Sequence, residues 1–240
     1  MQNQNKASLG LALATTALLL SACGGDPQPQ PQDPCQLPSR TGEQAGIICG
    51  AVSGTTATSV RPLKQIVQGA EFETSVRQGG QFEMVLPDSS LIESMYQTDL
   101  IPFKDIFGAC TSITVTPETD LKVINLSALE NEVGTVLESV EKASNGIANT
   151  YTYWWYANKD ATVTVNANCF GLGQVTNQVF AFKKGWNVVK LTTDLNNSTY
   201  TVNAPTATRY TFTPQAMSAQ SLVANFHTLW LNLDKYKNRR

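Results

Sequence analysis

Between residues 46 and 213, β-branched and aromatic side chains alternate with polar ones, and Gly, Asn, Asp and Pro interrupt the alternation at short intervals. A period of two residues is typical of strands that bury one face. Because short turns join many of these segments, we predict a mainly β fold made of antiparallel β-sandwich units. The predicted strands are Gly46–Ser53, Ala70–Arg77, Gln81–Leu86, Ser112–Thr116, Leu121–Leu126, Gly134–Val140, Thr150–Ala157, Ala161–Ala167, Gln178–Lys183, Trp186–Leu191, Ser198–Val202 and Thr208–Thr213.

Two segments have the three-four spacing of apolar residues that is typical of helices. Asp88–Asp99 begins with residues that cap helices and has apolar residues at positions 91, 92, 95 and 96. The other segment begins at Pro214 and has apolar residues at positions 219, 222, 223, 226, 229, 230 and 233. We therefore predict a C-terminal helix over residues 214–240 that lies against the β fold.

The first 22 residues have the features of an export signal. One basic residue, Lys6, precedes an uncharged stretch whose apolar part, Leu9–Leu20, is too short to span a bilayer as a stable helix. The stretch ends in Leu20-Ser21-Ala22-Cys23, which resembles the lipobox of bacterial lipoproteins. The resemblance implies cleavage before Cys23, transfer of a diacylglycerol to the Cys23 thiol, and acylation of the new amino group. It also implies that the bilayer itself is a partner.

The residues after Cys23 are expected to form a spacer. Gly24 stands where an Asp would favour retention in the inner membrane, so the resemblance implies the outer membrane of the envelope. Alternating Pro and Gln residues up to Pro34 are typical of an extended polyproline-type chain. The predicted organisation is a signal peptide in 1–22, a lipid-anchored linker in 23–45, a first β-sandwich unit in 46–110, a second unit or a continuation of the same sandwich in 111–213, and the helix in 214–240.

Two short motifs resemble known modules. The segments GAVSG at 50–54 and GQFEMVLP at 80–87 resemble the opening strand and a hairpin strand of prealbumin-like β-sandwich modules of surface proteins. An aromatic strand, Tyr151–Tyr156, that precedes Gly185-Trp186-Asn187 is similar to a class of uncharacterised extracytoplasmic lipoproteins. Both resemblances imply an architecture and no particular activity.

The charged residues argue against nucleic acid as a partner. The chain has 17 Lys and Arg against 19 Asp and Glu, a formal net charge of −2, and loss of the signal peptide would remove only Lys6. The basic residues form no stripe, and the short basic run at 235–240 is typical of a solvated chain end. We expect no nucleic-acid binding.

Lipidation of Cys23 leaves four cysteines, an even number, in an oxidising compartment, and this favours two disulfides. Three pairings are possible. We favour Cys110 with Cys169 and Cys35 with Cys49, because the second bond would tie the end of the linker to the first strand. No CxxC spacing occurs and His227 is the only histidine, so we predict no metal site and no cofactor.

Residues for catalysis are sparse. His227 falls in the predicted C-terminal helix, where a surface or capping role is expected for it rather than the role of a general base. Glu130, Glu132, Glu138 and Glu141 lie close in sequence and are candidates for a glycosidase carboxyl pair. We expect instead that these glutamates keep an exposed strand edge soluble.

The aromatic strand is the most suggestive segment. Alternation puts Tyr151, Tyr153 and Trp155 on one face, and we expect this face to pack in the core. Trp154 and Tyr156 lie on the other face, where they are candidate ligand-binding residues that would stack on sugar rings or a peptide. The alternative is that both faces are buried, one between sheets and one beneath the C-terminal helix.

Three functions are compatible with these patterns. The leading hypothesis is a non-enzymatic binding or structural module, anchored in the membrane through Cys23, with a polysaccharide or an envelope protein as partner. The first alternative is a hydrolase that acts on envelope polymers through carboxylates. The second is a carrier of a small apolar ligand, which requires a hollow barrel.

Overall fold

The computed structural model describes residues 35, 46–63, 72–108, 110–144, 146–169, 173–194, 197–203 and 209–215. The predicted signal peptide, nearly all of the linker and the residues predicted as helix after position 215 lie outside the described residues, as do Cys23 and His227. Among the residues described, no helix is long and apolar enough to cross a membrane.

Strands make up most of the described chain, and the prediction of a mainly β fold is confirmed. In the residues that the structure describes, the named helices are α1 (Ser89–Met95) and the 3-10 helices Gln97–Asp99 and Phe103–Phe107. The strands are β1 (Ile47–Val52), β2 (Ser59–Pro62), β3 (Thr74–Ser75), β4 (Gln81–Val85), β5 (Ile101–Pro102), β6 (Cys110–Thr116), β7 (Lys122–Leu126), β8 (Leu129–Asn131), β9 (Val136–Lys142), β10 (Asn149–Ala157), β11 (Ala161–Cys169), β12 (Gly173–Phe182), β13 (Gly185–Thr193), β14 (Ser198–Val202) and β15 (Tyr210–Pro214).

The two predicted helices have different outcomes. α1 forms where the sequence predicts it, and the Asp88 side chain caps it by accepting a hydrogen bond from the Leu91 backbone N–H at 2.8 Å. Pro214 was predicted to begin the C-terminal helix, but it is the last residue of β15 and pairs with Leu137 of β9. A strand end suits a proline, because few ladder hydrogen bonds are lost there.

The strands form two sheets. The larger has the order β14-β13-β10-β9-β15-β1-β4, and the short strands β7, β5, β8, β2 and β3 extend it from β10 and β9. The smaller has the order β12-β11-β6. β1 and β15 pair in parallel, and the other pairs of named strands are antiparallel.

β9 is the joint of the larger sheet. Its residues 140–142 pair with β10, whereas residues 137–139 pair with β15. β13 and β1 are separated by three strands in this order, so in a flat sheet they would lie about 19 Å apart. A Cβ on Gly46, the residue before β1, would nevertheless lie 2.7 Å from the ring of Trp186 on β13. The ring of Trp154 on β10 also lies 5.2 Å from that of Tyr210 and 5.9 Å from that of Phe212 on β15. The larger sheet therefore folds back on itself at β9.

This fold-back leaves β10 between two cores. On one face, Trp155 stacks on Phe180 and Phe182 of β12 at centroid distances of 6.0 and 6.1 Å, so this core lies between the two sheets. On the other face, Trp154 and Tyr156 pack with residues of β1, β4, β13 and β15. Every residue from 151 to 157 is buried.

The predicted strands Ala70–Arg77 and Gln81–Leu86 meet at a turn that contains Gly79 and Gly80, but they do not form a regular hairpin. The turn is present, and the Arg77 N–H donates to the Gln81 carbonyl at 2.7 Å. The strands on either side pair elsewhere, however, since β3 pairs with β2 and β4 pairs with β1. Gly80 has a φ of +76°, and a Cβ there would lie 2.5 Å from the Val52 carbonyl oxygen, so this position requires glycine.

Candidate functional site

The predicted aromatic platform is buried. Trp154 is 2% exposed and Tyr156 is 0% exposed, and both belong to the core that contains β1, β4 and β15. Neither ring has a free face on which a sugar or peptide could stack, so their interpretation as ligand-binding residues is wrong. Both faces of β10 are buried, as in the alternative. Among the described residues, strands and not a helix cover the face of Trp154 and Tyr156.

The carboxylates between 130 and 141 do not form one exposed edge. Glu130 is buried and its carboxylate pairs with the Arg61 guanidinium at 2.7 Å. The exposed Glu132 accepts hydrogen bonds from the backbone N–H groups of Thr58 and Ser59. Hydrogen bonds from the backbone of Glu132 itself, then of Ser59 and Thr58, hold the pKa of Glu132 below its ordinary value. Glu141 is exposed, as expected, but for the buried glutamates the expectation of a solubilising role is wrong.

Glu138 is the most unusual of these acids. It lies on β9, is 5% exposed, and its side chain forms no hydrogen bond or ion pair with the described residues. Burial raises the pKa of Glu138 to about 7. Burial, and after it the nearby charge of Glu138, raises the pKa of the Tyr151 and Tyr153 phenols. A retaining glycosidase needs two carboxyls about 5 Å apart, and no neighbouring carboxylate contributes to the shift at Glu138.

Both favoured disulfides are present. Cys35 bonds to Cys49 on β1, and Cys110 bonds to Cys169. The second bond joins directly opposed residues of β6 and β11, since Cys169 and Cys110 are partners in the ladder. It therefore fixes the first residue of β6 to the middle strand of the smaller sheet.

A cleft of about 550 Å³ runs beside β6. One wall is formed by residues 102–105 and 108, which include part of the second 3-10 helix, and the other by residues 113–116, 118 and 119. The volume lies within the ordinary range for binding pockets, roughly 300 to 1,000 Å³. We call it the β6 cleft.

The β6 cleft follows the edge of the strand rather than a face of the sheet. Side chains alternate between the two faces of a strand, so a cleft on one face is lined by every second residue. This cleft is lined by the consecutive residues Ile113, Thr114, Val115 and Thr116. β6 is the end strand of its sheet, and among the described strands it pairs with β11 alone.

An edge of this kind has a defined chemistry. In an antiparallel pair, every second residue directs both its N–H and its C=O away from the partner strand. The β6 cleft therefore contains backbone donors and acceptors repeated about every 6.7 Å, twice the rise per residue. Such a row matches the backbone of another extended chain.

The opposite wall is held in place by the core. The Phe103 ring is 1% exposed and contacts Trp155, Phe180 and Phe182, while its backbone N–H donates to the Leu121 carbonyl at 2.9 Å. Charged side chains line the cleft beside it: Lys104, Asp105 and Glu118. The cleft thus combines a fixed wall, hydroxyl groups and charges of both signs.

The sequence pattern contained only a weak signal for this cleft. The strand itself was predicted, as Ser112–Thr116, and its hydroxyl-rich composition leaves few large apolar side chains to bury. Which edge of a strand lacks a neighbour depends on the order of strands in the sheet, and local alternation does not encode that order.

Comparisons with known proteins provide no relative from which to transfer a role. No protein-family model matches the chain, and neither a curated protein nor a solved structure matches it significantly. A function must therefore be argued from the site itself.

Proposed function

We propose that this protein is a lipid-anchored binding module of the bacterial cell envelope that holds an extended polypeptide segment in the β6 cleft. The observation that supports this most is the consecutive lining of the cleft by residues 113–116. It indicates an accessible strand edge beside a fixed wall, and added strands bind to such edges through their main chain.

A polypeptide suits the β6 cleft better than a polysaccharide. Sugar binding commonly uses exposed aromatic faces, and the aromatic strand is buried on both sides. The cleft instead offers backbone groups at the repeat of a strand, with Thr114 and Thr116 beside them. Lys104, Asp105 and Glu118 would favour a segment that carries charges of both signs.

The anchor and the fold complete the proposal. The lipobox-like motif at 20–23 supports lipidation of Cys23, and the Pro/Gln run supports a spacer that holds the β domain away from the bilayer. Gly24 supports the outer membrane as the location. We also propose that the domain is a mostly antiparallel β-sandwich, with residues after 215 forming an amphipathic helix, on the pattern of apolar positions.

Replacing Cys23 with serine is expected to release the protein from the membrane fraction, because the serine hydroxyl does not take the diacylglycerol. Fractionation of cells labelled with a radioactive fatty acid measures both effects. The wild-type protein should carry the label and sediment with membranes, and the variant should do neither. A Cys23→Ser protein that still sediments with membranes, beside an unlabelled wild type, would contradict the anchor.

Peptide binding is expected to depend on the edge of β6. The detergent-solubilised wild-type protein is used to select ligands from a library of random linear peptides. Replacing Thr114 with arginine puts a long charged side chain beside the cleft, and we expect affinity for the selected peptides to fall about tenfold, or 1.4 kcal/mol. Fluorescence anisotropy of labelled peptides measures the dissociation constants.

The matched control for this experiment is Thr201→Arg, which changes an exposed threonine on β14, the end strand of the larger sheet. It adds the same charge away from the β6 cleft and should leave affinity unchanged. Equal affinity of Thr114→Arg and the wild type would exclude the cleft as the binding site. A library that produces no specific peptide would oppose peptide binding altogether.

A further inference from the structure

A second, smaller cavity lies outside the β6 cleft and has a different chemistry. Its volume is about 450 Å³, and it lies between the helical segment 93–100 and the residues Lys122 and Asn158. Its lining is mostly polar: Glu93, Gln97, Thr98, Leu100, Lys122 and Asn158. We call it the α1 pocket.

One end of the α1 pocket is a hydrogen-bond acceptor, the Glu93 carboxylate. The Glu93 Oε1 atom lies 2.7 Å from the Lys184 Nζ and 3.5 Å from the hydroxyl of the fully buried Tyr156. Both contacts are made by the same oxygen of this half-exposed carboxylate. The second oxygen, Oε2, has no partner among the described residues and is available to a ligand hydroxyl.

The other end provides donors and a positive charge. The Asn158 Oδ1 atom accepts a hydrogen bond from the Lys122 backbone N–H at 2.9 Å. The NH₂ group of the same amide has no partner among the described residues. The Gln97 side chain likewise makes no hydrogen bond within the described part of the chain, and the Lys122 ammonium takes part in no ion pair there.

Charge balance selects the class of ligand. Glu93 and Lys184 neutralise each other, and Lys122 then leaves the α1 pocket with one positive charge. A monoanion compensates this charge, whereas a zwitterion does not. The paired Glu93 carboxylate is better suited to accept hydrogen bonds from hydroxyls than to bind a second cation, because Lys184 already satisfies its charge.

We propose that the α1 pocket binds a small polyhydroxylated carboxylate, the chemistry of a uronic acid unit. The ligand carboxylate lies against Lys122 and the amides of Asn158 and Gln97, its hydroxyls donate to Glu93, and Leu100 packs against its C–H groups. This site is independent of the β6 cleft, and neither proposal depends on the other.

The test uses glucuronate, glucose and glutamate as probes, with the detergent-solubilised full-length lipoprotein and isothermal titration calorimetry. Glucuronate should bind roughly fivefold more tightly than glucose, the range expected for an exposed ion pair, and more tightly than glutamate. Replacing Lys122 with glutamine should make the affinities for glucuronate and glucose equal. Lys142→Gln, which removes an exposed lysine on β9, should preserve the preference.

The preference for the acid separates a binding role of Lys122 from a structural one, because a damaged pocket would weaken both sugars together. Three outcomes with the wild type and Lys122→Gln would overturn the proposal. They are absence of glucuronate binding at tens of millimolar, tighter binding of glutamate, and a preference for glucuronate over glucose that survives in Lys122→Gln. If Lys142→Gln also loses the preference for glucuronate, the preference arises from the overall charge of the protein. This result would also overturn the proposal.

Discussion

Replacing Trp155 with alanine is expected to lower the free energy of unfolding by roughly 3–5 kcal/mol, and Trp154→Ala should lower it by a similar amount. The sequence alone suggests a much smaller effect at position 154. The structure removes this difference, because the two side chains are 1% and 2% exposed in two separate cores. Each substitution leaves a cavity that rigid neighbouring strands cannot fill.

Denaturant unfolding of both variants measures these losses. Val179→Ala is the control, since Val179 is an aliphatic residue on β12 that is 55% exposed, and its truncation should change stability by less than about 0.5 kcal/mol. A loss at Trp154 as small as that of the control would mean that β15 does not cover this face of β10. The folding back of the larger sheet at β9 would then be wrong.

Replacing Glu138 with glutamine is expected to stabilise the protein at pH 8 by about 3 kcal/mol and to leave stability near pH 4 almost unchanged. The folded pKa of Glu138 is about 7, against an ordinary value of 4.5. Between these values the folded state holds a proton that the unfolded state has lost, so stability falls as pH rises from 4.5 through 7. Each pKa unit corresponds to about 1.4 kcal/mol, and glutamine removes the titration.

The measurement is the difference in unfolding free energy between the variant and the wild type across pH 4 to 8. This difference isolates Glu138, because Glu132 and Asp160 have lowered pKa values and act in the opposite direction in both proteins. Glu141→Gln changes an exposed acid on the same strand and should give a flat difference. A flat difference for Glu138→Gln would show that water reaches its carboxylate.

The longer strands were largely predictable because each combines β-branched, aromatic and polar residues over at least five positions between turn residues. Alternation located β10, β11 and β13 to within a few residues of their ends. It missed β2, β5 and β8, which have two to four residues, and two of them end in proline, at Pro62 and Pro102. Segments this short contain too few positions for a period of two to be recognised.

The contacts between distant strands were much less predictable. The pattern of β10 showed two aromatic faces, but it did not show that β15 and β12 cover them. The burial of Glu138 was not predictable either, because a charged residue between Leu137 and Ser139 has the pattern of an exposed strand position. Glu138 is buried because β9 joins two parts of a folded sheet. The favoured cysteine pairing was right because the end of the linker must return to the first strand.

The candidate sites depend on this same long-range order. The β6 cleft exists because no described strand pairs with the outer edge of β6, and the α1 pocket exists because a helix end meets the turn after β10. Their residues are threonine, lysine, asparagine and glutamine, types that occur on every protein surface. Amino-acid composition therefore does not indicate either site.

Hydrogen exchange of individual backbone amides, with and without a saturating selected peptide, tests the proposed function most directly. If an extended peptide adds to β6, the amides of every second residue within 113–116 should exchange more slowly when it is bound, because they donate to the peptide. Amides of β14, at the end of the larger sheet, should not change. Slower exchange on β14 with none on β6, or no change anywhere at saturation, would contradict binding in the β6 cleft.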